Sequence, residues 1–237
     1  MRESDRWTPL AALGGYNLVQ NFVLPNWAYV PANLAVSVGL VVLARKRGCS
    51  WEELGLAPGR GRRGLLMGGS GALLAITSAL AARGCIQLRP FLLDARAESQ
   101  SRGEVIYRSV LRFPIGTALF EEVAFRGVVY GMWRRAGSSH KAASAVAAGA
   151  FGLWHVIPSW SALRGNPLGR TVTAGRSIMG VVLAGAAITG LSSVGLTWLR
   201  GRSGSLVAPW LTHSAANSVG YLAGVDAWRR TSASPHN

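Results

Sequence analysis

The sequence is short of acid, of cysteine and of charge altogether. Its 237 residues hold 10 Asp and Glu against 25 Lys and Arg, and charged residues make up 15% of the chain against 49% hydrophobic ones, too apolar a balance for a soluble domain of this length. Cys49 and Cys85 are isolated and far apart, which excludes a disulfide framework or a cysteine-based metal motif. No internal repeat, low-complexity tract or second domain is visible. Residues 1–237 therefore read as one integral membrane domain, with a motif-bearing core at about 105–225 and a frayed tail at 228–237. Met1 to Thr8 mixes Arg2 and Arg6 with Glu3 and Asp5 and shows no cleavage site of the small-residue type, so the first apolar segment is expected to be retained.

What the chain has instead is apolar runs. A net charge of +15 would suggest nucleic acid in a soluble protein, but here the arginines flank apolar stretches as they do around spanning helices, and no nucleic-acid partner is expected. Crossing about 30 Å of hydrocarbon takes around 20 mostly apolar residues. The expected fold is an all-α, polytopic transmembrane bundle of about seven spans with short interfacial helices. The first, Leu10 to Leu24, is short, is interrupted by Asn17, Gln20 and Asn21, and could be a tilted or partly interfacial helix; the second and third are Trp27 to Ala44 and Leu65 to Ala82. The fourth, Glu104 to Trp133, is too long for a perpendicular span, so Arg108 and Arg112 should lie outside the hydrocarbon, and Pro114 permits a kink. Lys141 to Ile157 should close at Pro158, and Ile178 to Leu199 and Ser205 to Val225 complete the set.

Between the spans, Ser50 and Glu53 stand at capping-box spacing and predict a short interfacial helix ending near Gly55 and Pro58. Polar connections are expected at Arg83 to Gly103 and around Arg164, Arg170 and Arg176. Small residues four apart, Gly180 with Ala184 and Ala186 with Gly190, would let backbones approach. Lys and Arg divide almost evenly between the two sides, and the dense loop Arg45 to Arg63 favours a cytoplasmic N-terminus in a cell membrane.

One stretch breaks the apolar pattern: Phe120-Glu121-Glu122-Val123-Ala124-Phe125-Arg126-Gly127. An ionised side chain at the bilayer centre costs roughly 2.5–3.5 kcal/mol on insertion scales, so such groups pair within a bundle and mark function. On a helix Glu122 and Arg126 lie four apart on one face, as a stabilising pair prefers, and are expected to form a structural ion pair. Glu121 points about 140° from Arg126, on the side of Phe125, and is the carboxylate left to face a polar centre.

Later spans add more polar groups. Phe151 and His155 are four apart in the fifth, and His213 and Asn217 in the seventh, where Ala216 and Gly220 extend the face with residues small enough to seat a neighbour. His140 at a helix start and His236 in the tail should not join them. Two chemistries suit this inventory. His155, His213 and Glu121 could hold zinc or another divalent metal, with the ligands drawn from separate helices because no H-E-x-x-H is present. With no metal, Glu121 and His155 could activate water while His213 and Asn217 donate to an oxyanion. The rival class is a non-catalytic immunity or scaffold protein, or a proton-coupled transporter.

Three blocks in order, Glu121-Glu122-x-x-Phe125-Arg126-Gly127, Phe151-x-x-x-His155 and His213-x-x-x-Asn217, resemble the CAAX prenyl protease and bacteriocin-processing family of intramembrane proteases. The resemblance covers roughly residues 110–225. It implies an all-helical membrane endopeptidase acting on membrane-associated, in some members lipidated, peptides or proteins. By the same resemblance Glu121 and His155 prepare the water, His213 and Asn217 complete the site, and Glu122 and Arg126 occupy the remaining motif positions. Members have been described both as metalloproteases and as metal-independent glutamate proteases.

Overall fold

Helices are the only regular structure among the described residues of the computed structural model, which are 3–85, 100–165 and 177–233. They run as α1 (Thr8–Phe22), α2 (Tyr29–Lys46), α3 (Gly61–Gly84), α4 (102–135), α5 (His140–Trp154), α6 (Val156–Gly165), α7 (Ile178–Ser203) and α8 (Val207–Ala233). Serines start three of them. The hydroxyls of Ser101, Ser139 and Ser177 accept from the backbone N–H groups of Glu104, Ala142 and Gly180, which satisfies donors that have no partner inside the helix. Gly204, left-handed at φ +71°, ends α7 where a side chain would be strained.

The central helix, α4, is wound unusually. Arg102–Ile106 and Tyr130–Arg135 are ordinary α-helix, but Tyr107–Leu119 and Glu122–Val129 take the wider π pitch, a rare winding that concentrates at functional sites. Pro114 lies in the first wide stretch, and its carbonyl accepts from Trp210 Nε1 at 2.8 Å. Residues 120–133 are buried without interruption, Glu121, Glu122 and Arg126 among them. The outer helices show the reverse pattern. Leu65, Leu66, Leu73 and Leu74 of α3 and Leu183, Ile188 and Leu191 of α7 are exposed, and only 6% of the apolar window of α3 is buried. Ionisable groups inside and leucines outside are the arrangement that lipid, rather than water, stabilises.

Small residues set the spacing around this centre. α3 lies along α8, where a Cβ at Gly68 would sit 2.9 Å from the Ala208 backbone. α5 crosses α7 just as closely, since a Cβ at Gly152 would meet the Ala186 carbonyl oxygen at 2.6 Å. The expected Ala186 and Gly190 pair is therefore the crossing point. Gly180 and Ala184 face outward instead.

Several expectations change. Among the described residues four helices are long and apolar enough by length and composition to cross a membrane, Asn26–Lys46, Gly61–Gly84, His140–Arg164 and Ile178–Ser203, against about seven expected spans. α1 has 15 residues, which rise roughly 22 Å, short of the hydrocarbon thickness. The fifth helix does not close at Pro158. It breaks at His155, and Pro158 falls in the first turn of α6, where a missing N–H removes no bond. Ser50 and Glu53 do exchange both capping-box bonds, Ser50 N–H to Glu53 Oε2 at 2.7 Å and Glu53 N–H to Ser50 Oγ at 3.0 Å, but they close a turn that Gly55 ends, not a helix. α8 outruns its expected end, and Trp228 packs against the Phe113, Tyr221 and Val225 cluster. The connections expected at Arg83 to Gly103 and Arg164 to Arg176 lie largely outside the described residues.

Candidate active site in the helical core

The site is built on the middle of α4. Arg126 Nη1 meets Glu122 Oε1 at 3.1 Å with both side chains fully buried, the pairing that four-residue spacing predicts. The guanidinium carbon also stands 4.0 Å from the centre of the Phe151 ring, a cation–π contact that stabilises a charge shut off from water. Glu122 does more than neutralise Arg126, because its Oε1 also lies 2.7 Å from His213 Nδ1 on α8. A carboxylate only accepts, so Nδ1 carries the proton and Nε2 is turned toward Glu121, 3.6 Å from its Oε2.

His155 follows the same logic. Its Nδ1 is 2.8 Å from the Phe151 carbonyl oxygen, which fixes Nδ1–H, and its Nε2 faces Glu121 Oε1 at 4.0 Å. The break between α5 and α6 falls on this residue, so the imidazole sits at a joint rather than along a straight helix. Two imidazoles thus present Nε2 to one carboxylate. The Phe151 and His155 rings are 4.5 Å apart, consistent with the shared face read from their spacing.

These groups open on a cavity of about 410 Å³, also bordered by Tyr29, Arg108, Arg112, Thr117, Trp154 and Asn217. Asn217 stands one turn beyond His213 on that wall. Ala216 and Gly220, expected to seat a neighbouring helix, border the cavity instead and leave room in it. His140 is elsewhere, its Nδ1 2.7 Å from the Tyr130 hydroxyl, and His236 lies outside the described residues.

Two residues of the site were not singled out by the sequence. Trp154 donates from Nε1 to Glu121 Oε1 at 3.1 Å, and Asn17 of α1 donates from Nδ2 to the Trp154 carbonyl at 2.9 Å. Trp154 is packed by Phe120 and Phe125 at centroid distances of 5.4 and 5.8 Å, so its N–H has little freedom. The signals were its place beside His155 and an amide inside an apolar run, and Asn17 read only as an interruption. An apolar hollow of about 530 Å³, lined by Leu10, Leu13, Val146, Leu153 and Ile157 among others, adjoins the polar cavity and shares the Trp154 wall with it.

The donors that a divalent metal would use are present, at somewhat wide spacing. Both imidazoles have Nδ1 engaged, as metal-bound histidines do. Zinc ligands of this kind stand about 3.3 Å from one another in a tetrahedron. Here Glu121 is 3.6 and 4.0 Å from the two Nε2 atoms, and among the described residues no three His, Cys, Asp or Glu side chains are gathered to hold an ion. His155, His213 and Glu121, the residues that would hold a metal, thus border one cavity at separations slightly wider than those of a closed zinc site.

Residues 104–219 match the family profile described as Type II CAAX prenyl endopeptidase Rce1-like. The match includes all three motif blocks and bears out the resemblance they carried. Neither the curated proteins nor the solved structures contain a match to the chain.

Proposed function

We propose, with residues 104–219 Rce1-like, that this integral membrane protein is an intramembrane endopeptidase in which Glu121 activates water. The observation that carries the reading is one buried carboxylate faced by the Nε2 atoms of His155 and His213, drawn from separate helices onto one cavity wall. A water hydrogen-bonded to both His155 Nε2 and Glu121 Oε1 would close the 4.0 Å gap between them. Glu121 takes a proton from that water as its oxygen attacks the peptide carbonyl carbon and the carbonyl electron pair moves onto oxygen. The oxyanion accepts from the Asn217 side-chain amide and from His213, which as imidazolium keeps Nδ1 on Glu122 and turns Nε2–H inward. Collapse of the intermediate breaks the C–N bond, and the departing amine takes the proton held by Glu121.

The substrates are peptides or proteins held at the membrane, with lipid-bearing ones first to be tried. The apolar hollow that shares Trp154 with the cavity supports that class, since a hydrocarbon chain could lie there while the peptide reaches Glu121. In this reading α4 and α8 join the four apolar helices in crossing the cell membrane, and the short α1 is tilted or partly interfacial.

The test compares wild-type, Glu121→Ala and His155→Ala proteins purified from membranes. Both variants should accumulate normally and lose cleavage of membrane-held peptides. Undiminished turnover in either sinks the assignment. Metal content and chelator sensitivity are measured on the same samples, and a stoichiometric ion whose removal stops turnover overturns the metal-free route.

A further inference from the structure

A second polar cavity, of about 370 Å³, opens where α4 and α7 end and the segment after α2 passes them. It shares no lining residue with the cavity at Glu121. Three arginines border it, Arg134 and Arg135 from α4 and Arg200 from α7, against two carboxylates, Glu52 and Glu53. Both carboxylates are already matched, since Glu53 lies 3.6 Å from Arg135 and Glu52 lies 3.0 Å from Arg60, drawn from outside the lining. Arg134 and Arg200 are left, and neither forms an ion pair among the described residues. Each donates instead to backbone carbonyls, Arg134 from Nη1 to Ser138 and Arg200 from Nη2 to Glu52 and Glu53, contacts that position a guanidinium without neutralising it. Arg200 is the sharper case. It is only 8% exposed, its guanidinium carbon lies 4.6 Å from the centre of the Tyr130 ring, and its Nε has no acceptor among the described residues. A charge withdrawn from water in this way is costly until an anion stands beside it.

The depth of the cavity identifies the anion. Trp51 and Trp198, 46% and 56% exposed, have the guanidinium carbons of Arg45 and Arg202 at 4.6 and 5.7 Å from their ring centres. Exposed tryptophans with arginines laid on them mark the boundary between hydrocarbon and water, and Trp198 is two residues from Arg200. At that level of a bilayer the abundant anions are lipid phosphates, and two guanidinium forks on neighbouring helix ends suit a tetrahedral group with several oxygens. We infer that Arg134 and Arg200 together hold a phosphate group, presented by the headgroup of an anionic lipid. With His140 neutral, three arginines and two glutamates leave the cavity wall a net charge of +1, which a single monoanionic phosphodiester balances. The inference needs a membrane-inserted protein and not the peptidase reading. Seated there, the phosphate ties the end of α4, the helix of Glu121, to the end of α7, so the lipid is a structural ligand whose occupancy stabilises the bundle.

The test measures binding and stability, so it does not depend on turnover. Full-length protein in neutral detergent micelles is titrated with phosphatidylglycerol or phosphatidylcholine, and retained lipid is counted by native mass spectrometry beside the thermal unfolding midpoint. One phosphatidylglycerol should be held about tenfold more tightly than phosphatidylcholine, or about 1.4 kcal/mol, and should raise the midpoint. That preference should vanish with Arg134→Gln and with Arg200→Gln, return in part with Arg200→Lys, and survive Arg63→Gln, which removes an exposed arginine outside the cavity. Arg134 is half-buried and its hydrogen bond goes to the Ser138 carbonyl, so Arg134→Gln decides the matter even where Arg200→Gln fails to accumulate. Saturation by inorganic phosphate that requires Arg134, with phosphatidylglycerol held no better than phosphatidylcholine, keeps the phosphate site and overturns the lipid as its source. Equal retention of the two lipids with no effect of inorganic phosphate, or a preference indifferent to Arg134→Gln, overturns the inference altogether.

Discussion

Trp154→Phe separates the positioning of Glu121 from the packing around it. The substitution keeps an aromatic ring among Phe120, Phe125 and Tyr16, and removes the N–H that reaches Glu121 Oε1 at 3.1 Å. A hydrogen bond to a charged group contributes roughly 1.5–3 kcal/mol, and if all of it acts on the orientation of the general base the rate falls roughly 10- to 150-fold. The smaller ring leaves a void that costs some stability but should not distinguish free enzyme from transition state. The expected result in vesicles is a fall in kcat with KM nearly unchanged and thermal unfolding only slightly lowered. Asn17→Ala, which releases the Trp154 carbonyl, should give a weaker change of the same kind. A Trp154→Phe protein with wild-type kcat, or one whose loss lies wholly in KM, would show that Glu121 does not depend on the indole for its placement.

Glu122→Gln and Arg126→Gln should each destabilise the protein by about 3–5 kcal/mol, because each leaves a fully buried charge without its partner. The double substitution should cost clearly less than the two together, and additivity in micellar unfolding experiments would refute the pairing. Gly152→Ala should lower the unfolding midpoint by overpacking worth roughly 1–3 kcal/mol, since its Cβ would strike the Ala186 carbonyl at 2.6 Å. Gly195→Ala, which meets nothing within 4 Å, should leave it unchanged, and equal behaviour of the two would deny the close crossing of α5 and α7.

Much of the site was legible because its constraints are local. Four-residue spacing was enough to pair Glu122 with Arg126 and to set Phe151 beside His155. It also left Glu121 as the carboxylate facing the cavity. The contacts between helices were not legible in this way. That His213 shares Glu122 with Arg126 depends on how α8 meets α4, and that Asn17 reaches the Trp154 carbonyl depends on where α1 docks. The break at His155 was hidden as well, since Pro158 suggested a stop three residues further on and proves compatible with the first turn of another helix.

The shortfall from seven expected spans to four apolar ones has a physical cause that joins the fold to the site. Hydropathy identifies helices whose residues meet lipid, and α4 and α8 meet chiefly other helices: α4 holds Glu121, Glu122 and Arg126 in its buried core, and α8 brings His213 and Asn217 to the cavity. A charged pair could not remain in hydrocarbon unshielded. It remains here because α3 and α7 turn leucine-rich faces outward and because Gly68 of α3, Gly152 of α5 and Gly190 of α7 let neighbouring backbones close in without side chains between them. The π stretch Glu122–Val129 of α4 holds Glu122 and Arg126 and starts directly after Glu121. Low apolarity in these helices is thus a consequence of their carrying the polar centre, and a helix can be most deeply enclosed where its sequence looks least suited to a membrane.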